Sequence, residues 1–190
     1  MISNLFKEDI TKILTYFLIS PGSRHTRKEI KEKTNMNNIP LDKALKSLLT
    51  LKILKIEKSM YTLNQANEKS REILLIMKKE YDYFGLPHDI FNLLVKISSS
   101  ISDLKEIREI VLFGSYSKLI YTDKSDIDIA IILEDKIKNK VKIEEIIEKR
   151  INKIEEKSKK LIEPHFFVNQ ELKEKDPIIK DIIKNGKSLI

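Results

Sequence analysis

Two acids two positions apart sit inside an apolar run, Ser125-Asp126-Ile127-Asp128-Ile129-Ala130-Ile131-Ile132-Leu133. The run reads as a strand. Alternation then puts Asp126 and Asp128 on one face and Ile127 and Ile129 on the other, in the core. Like charges side by side on one strand face repel each other. A divalent cation between them resolves the conflict, and hard oxygen ligands suit Mg²⁺ or Mn²⁺. Upstream, a second apolar run, Glu109-Ile110-Val111-Leu112-Phe113, ends in Gly114-Ser115. Gly114 lets a phosphate approach the backbone closely. Ser115 adds a hydroxyl where a helix could start, with free N–H groups facing an anion. Metal-holding acids on one strand and a phosphate cradle on its neighbour are the parts needed for nucleotidyl transfer, in which the metal polarises the α-phosphate and aligns the attacking oxygen.

The full pattern is an apolar strand, Gly114-Ser115, the ten residues 116–125, then Asp126-Ile127-Asp128. It resembles the nucleotidyltransferase superfamily with the DNA polymerase β-like palm, and within it the minimal nucleotidyltransferases of archaea and bacteria. The resemblance covers roughly residues 88–190, including the tail from Asp176-Pro177-Ile178-Ile179 to Gly186. It implies that Asp126 and Asp128 hold metal and that Gly114 and Ser115 hold the triphosphate. It also implies transfer of a nucleoside monophosphate, AMP from ATP in the first instance, to a protein or nucleic-acid hydroxyl. Minimal members often act as antitoxins that adenylylate a HEPN ribonuclease toxin, so such a toxin is an implied acceptor.

The chain departs from the family pattern in two places. The family continues Gly-Ser-Tyr-Ala-Arg-Gly, whereas this chain reads Gly114-Ser115-Tyr116-Ser117-Lys118-Leu119. Lys118 would replace the Arg as a phosphate contact, as a point charge rather than a fork. Leu119 stands where the glycine would be. The superfamily also often carries a third acid on a later strand. The candidate strand here is Leu161-Ile162-Glu163-Pro164-His165-Phe166-Phe167-Val168, in which Glu163 is the sole acid and His165 lies on the same face. Glu163 is therefore the expected third catalytic and metal-ligating residue, as ligand or general base. Without it, the domain would bind nucleotide and metal yet catalyse weakly or not at all.

The elements that position these residues follow from apolar spacing. Residues 4–19 read as a helix, stopped by Pro21-Gly22. Thr26-Arg27-Lys28-Glu29 is a capping-box pattern opening a second helix to about Lys33. Pro40 suits the first turn of a third helix through Leu45, Leu48 and Leu49. Two short alternations, Leu51 to Ile56 and Met60 to Leu63, flank a hairpin tip at Glu57-Lys58-Ser59. Three helices and a hairpin over residues 1–65 resemble a winged helix-turn-helix domain. That resemblance implies duplex DNA as a partner, met by Asn37, Asn38, Lys43, Lys46 and Ser47 on the third helix and by Lys55 and Lys58 on the wing. A linker helix at 66–87, a further helix at about 89–101 and the nucleotidyltransferase domain at 88–190 complete an α+β chain of two domains.

Composition agrees with this division. The chain has 190 residues and a net charge of +7. Residues 1–65 hold 12 Lys/Arg against 6 Asp/Glu, whereas residues 66–190 hold 24 against 23. The excess in the first third points to an anionic partner there. A solvated surface or a protein-contact domain would show the same bias, so a DNA-binding regulator with a degenerate nucleotide-sensing transferase domain stays open as the alternative function. A homodimer also stays open. There is no Cys, which excludes a disulfide scaffold, a zinc-thiolate site and a thiol nucleophile. No apolar run approaches the roughly 20 residues of a membrane helix. No secretion signal is visible, so no membrane partner and a cytoplasmic location are expected. The abundance of Ile and Lys fits a thermophile and an AT-rich genome equally well.

Overall fold

A computed structural model of the chain describes residues 7–173 and 176–189. Residues 4–6 of the first expected helix lie outside them. The chain divides into two compact units, Met1–Asn92 and Leu93–Ile190.

The first unit runs α1 (Glu8–Ile19), α2 (Arg27–Thr34), α3 (Asn38–Thr50), β1 (Leu54–Glu57), β2 (Met60–Leu63) and α4 (Glu68–Phe84). The capping box forms as read: Thr26 accepts from the Glu29 N–H, and the Glu29 carboxylate accepts from the Thr26 N–H at 2.7 Å. Pro40 falls in the first turn of α3, where N–H groups have no helical partner. The first strand begins at Leu54 rather than Leu51. Leu51 still closes α3 by donating its N–H to the Ser47 carbonyl at 2.9 Å, and Lys52 turns the chain at φ 57°. The β1–β2 ribbon is antiparallel. Its two-residue tip, Lys58-Ser59, has φ 48° and 64°, the paired positive angles that match a tight hairpin to strand twist. One core holds these elements together, with Ile13, Phe17, Ile30, Leu41, Leu48 and Leu54 at its centre and Leu74 and Met77 contributed by α4. The unit boundary falls inside α5 (His88–Ile101). His88 Nε2 and Asn92 Oδ1 meet the buried Thr15 hydroxyl at 2.8 and 3.0 Å.

The second unit runs β3 (Ile107–Leu112), α6 (Gly114–Ser117), β4 (Ile127–Leu133), α7 (Lys140–Ser158), β5 (Ile162–Val168), a 3₁₀ turn (Asn169–Lys173), α8 (Pro177–Asn185) and β6 (Lys187–Ser188). The sheet order is β5-β4-β3-β6. β3 is antiparallel to β4 and β6, and β4 is parallel to β5. Parallel neighbours need a crossover, which α7 provides. Every residue of β4 except Asp128 is buried. That is the signature of a central strand covered on both faces, and it explains the unbroken apolar run. On one face Ala130 and Ile132 pack with Val111, Phe113 and Ile182 of α8. Alternation sends Ile127, Ile129, Ile131 and Leu133, all fully buried, to the other face. The α8 start is capped by Asp176, with Pro177 as its first residue. Arg150 of α7 donates to the Ser100 carbonyl at 2.7 Å and pairs with Asp103. The architecture is mixed α+β. No helix among the described residues is long and apolar enough to cross a membrane.

Candidate active site

The site is built where β3 gives way to α6, against the start of β4. Phe113 donates its N–H to the Asp128 carbonyl at 3.1 Å, which holds the turn on β4. Gly114 follows at φ 70°. A Cβ there would lie 2.0 Å from Asp128 Oδ2 and 2.8 Å from its Cγ. The glycine is thus required twice, by its backbone angle and by the carboxylate packed on its Cα. The Ser115 N–H donates to that same carboxylate. The turn then closes on itself. Ser117 Oγ donates to the Gly114 carbonyl at 3.1 Å, and the Ile120 N–H to the Ser115 carbonyl at 3.0 Å. This closure sets Leu119 at φ 60°, a left-handed angle that a glycine adopts freely and a leucine does not. The Leu119 side chain is 49% exposed, so burial gives little in return. Beneath the turn, buried Tyr116 stacks on Tyr121 at 4.3 Å, and Lys160 reaches the Tyr116 hydroxyl and the Asp123 carbonyl.

The parallel register sets Asp128 directly beside Glu163, and Ala130 beside His165. Each of Asp128, Glu163 and His165 offers a ligand atom, and these atoms all lie within 4.8 Å of one another. His165 Nε2 is 3.7 Å from Glu163 Oε1, and its ring meets Phe113 edge-on at 5.2 Å. Burial pushes the Asp128 carboxyl above its ordinary range, with the Glu163 and Asp126 charges adding to the shift. His165 and the Ser115 N–H pull it back only in part. A half-buried acid raised by its surroundings, inside an otherwise apolar central strand, is a feature of functional sites. Asp126 stands just ahead of β4, half-buried, and is not part of the 4.8 Å group. Two carboxylates and an imidazole at this spacing suit a divalent cation.

Lys118 faces an acid that sequence patterns did not signal. Its Nζ bonds both oxygens of Asp181 on α8, at 3.2 and 3.1 Å, and the Gly114 N–H donates to Asp181 Oδ2 at 3.3 Å. The Asn185 amide holds Oδ1 at 2.7 Å. Asp181 lies 67 residues from Gly114, so only the fold brings the two together. Burial raises the Asp181 carboxyl, but the bonds from Asn185 and Lys118 outweigh it and hold it below its usual range.

In the first unit, the exposed face of α3 carries Asn38, Lys43 and Lys46, and also Ile39, which is 70% exposed. Asn37 is the exposed residue that precedes the helix. Asn38 accepts from Arg27 at 3.3 Å, and Arg27 pairs with Asp42 at 2.6 Å, placing a neutralised acid on the same face. Ser47 turns its hydroxyl back to the Lys43 carbonyl at 3.0 Å. Lys55 is paired with Glu57 at 2.6 Å, and Lys58 is exposed at the hairpin tip.

A crystal structure of a Sulfolobus solfataricus protein provisionally named a nucleotidyltransferase is similar over 53% of this chain and 80% of its own, at 20% identity and a TM-score of 0.35. No curated protein matches. The model of the polymerase beta nucleotidyltransferase family matches residues 95–190. That span contains the Gly114 turn, the β4–β5 pair and α8, and it is just over half of the sequence: the chain belongs to the polymerase beta nucleotidyltransferase family.

Proposed function

We propose that the second unit transfers a nucleoside monophosphate, AMP from ATP, to a hydroxyl of a protein or nucleic acid, with a divalent cation at Asp128, Glu163 and His165 and with Asp126 beside it. The observation that carries this reading is the Asp128 carboxylate, seated on the bare Cα of Gly114 and within ligand distance of Glu163 and His165. When bound, the cation supplies charge neutralisation at the reacting phosphate. The chain's own groups do the rest. Gly114, Ser115 and Lys118 offer donors to the phosphates, and the β4–β5 register fixes where the acids stand. An imidazole is a poor match to Mg²⁺, which prefers oxygen ligands, so entry of His165 into the shell favours Mn²⁺ of the two expected ions.

The test is calorimetric titration of ATP, with and without Mg²⁺ or Mn²⁺, into the wild type and the Asp126→Asn/Asp128→Asn variant. Binding is chosen because it needs no acceptor. Metal-dependent binding that disappears in the variant is expected. Absence of binding by folded wild type, repeated with the other nucleoside triphosphates, overturns the reading.

A second reading concerns the first unit, whose three helices and hairpin follow the winged helix-turn-helix order. Exposed Lys43 and Lys46 on α3 support duplex DNA as its partner, and exposed Ile39 suits a thymine methyl. Affinity for duplex DNA should fall steeply with salt, and Lys43→Ala should reduce the salt slope by about 1 if Lys43 meets a phosphate. Affinity unchanged between low and high salt would count against it.

A further inference from the structure

We propose that Asp181 is an internal competitor of the nucleotide, its carboxylate occupying the Gly114 and Lys118 donors that a phosphate would use. The inference rests on the reading of Gly114 and Lys118 as phosphate contacts. Asp181 Oδ2 accepts from the Gly114 N–H and from Lys118 Nζ, and Oδ1 accepts from Lys118 and from Asn185. The Gly114 N–H is a single donor and cannot serve two anions at once, and the Lys118 ammonium already directs two of its three protons at Asp181. A carboxylate and a phosphate oxygen both seek charge-assisted bonds of the same length, so one displaces the other.

The asymmetry of the pair shows which partner moves first. Asp181 is anchored: its side chain is 23% exposed, Asn185 one turn later clamps it, and its neighbour Ile182 is in the core. Lys118 is on an exposed turn with a flexible stem. Nucleotide entry then swings Lys118 from Asp181 to the phosphate, and the Asp181 carboxylate, without its lysine, turns about its own side chain against the Asn185 bond to release the Gly114 N–H. The observed affinity is the intrinsic affinity multiplied by the fraction of molecules in which these donors are open.

The experiment is titration of ATP and, separately, of inorganic tripolyphosphate with Mn²⁺ into four proteins: wild type, Asp181→Asn, Asn185→Ala and Asp123→Asn. Asp181→Asn weakens the competitor while keeping its size. It should tighten both ligands by about tenfold. Asn185→Ala loosens the clamp without touching either donor and should tighten both by about two- to threefold. Asp123→Asn removes one charge from an exposed residue that does not touch Gly114 or Lys118, and it should change little. Equal gains in Asp181→Asn and Asp123→Asn would mean a general charge effect and would overturn the proposal. Weaker binding by Asp181→Asn would assign Asp181 to positioning Lys118 and would also overturn it. Thermal melting checks that each variant folds, and if Asp181→Asn does not, an Asn185→Ala protein with wild-type affinity overturns the proposal by itself. Binding by wild type with no gain in any variant sinks this inference and leaves the proposed function standing. Failure of all four proteins to bind either ligand overturns both.

Discussion

Gly114→Ala is expected to cost about 2–5 kcal/mol of folding stability, and Leu119→Gly to add about 0.5–1 kcal/mol. Both positions hold left-handed angles, φ 70° and 60°, yet the sequence has a glycine at only one of them. A side chain in that region costs about 1–2 kcal/mol. At Gly114 the new Cβ would also meet Asp128 Oδ2 at 2.0 Å, and overpacking of this kind adds about 1–3 kcal/mol. At Leu119 the strain is already present. Its removal outweighs the roughly 0.5–1 kcal/mol of extra chain entropy that glycine loses on folding. Chemical denaturation measures both. The Gly114 cost separates into angle and clash in a double-mutant cycle with Asp128→Ala, which removes the colliding carboxylate. A coupling of about 0.5–3 kcal/mol is expected. Additive losses would mean that Asp128 does not rest on Gly114.

Asp128→Asn is expected to stabilise the metal-free protein while lowering Mn²⁺ affinity about 100-fold or more, beyond the 10- to 100-fold typical of groups that only support a ligand. Burial first, then the Glu163 charge, raise the Asp128 carboxyl above its ordinary range. Folding therefore disfavours its ionised form. A carboxyl raised on folding contributes its full stability below its unfolded value, and that contribution is lost as pH rises through the raised, folded value. Asparagine has no such loss. The stability advantage of Asp128→Asn should thus be near zero at about pH 3, below the ordinary aspartate range, and should grow as pH rises toward about 7. Other acids, Asp42 and Asp103 among them, are held low by ion pairs and respond in the opposite sense, so the informative quantity is the difference between variant and wild type. Excess Mn²⁺ should reverse the order, because a ligand that binds only the folded state stabilises it. A variant less stable than the metal-free wild type at pH 7 would refute the account.

What the sequence revealed follows from what is local. The Gly-Ser turn and the two acids lie within a short stretch, and the apolar alternation of β4 shows which way Asp128 points. The capping box at Thr26 and the hairpin tip at Lys58-Ser59 are local in the same sense. Register between strands is not local. The Asp128–Glu163 pairing depends on how β4 and β5 slide past each other, and a one-residue slip would separate them. That is why Glu163 was nameable as a candidate while the grouping of Asp128 with Glu163 and His165, without Asp126, was not. Asp181 had no signal at all. It sits on α8 among ordinary helix residues, and only the packing of Ile182 under Val111 and Phe113 carries it to Gly114. Leu119 was visible as a departure from a pattern, but its strained angle required the closed turn.

The parallel β4–β5 pair also determines when the site can come into being. Asp128 and Glu163 are 35 positions apart in the sequence, and nothing short of docking the whole α7 crossover brings them side by side. Such closure is slow, because chain entropy is lost before any contact rewards it. The last step also presses two carboxylates together. A cation that needs both acids has no site until this closure is complete, and so it arrives after the rate-limiting event. Its effect should fall on the lifetime of the folded domain: slower unfolding, with the rate of folding nearly unchanged.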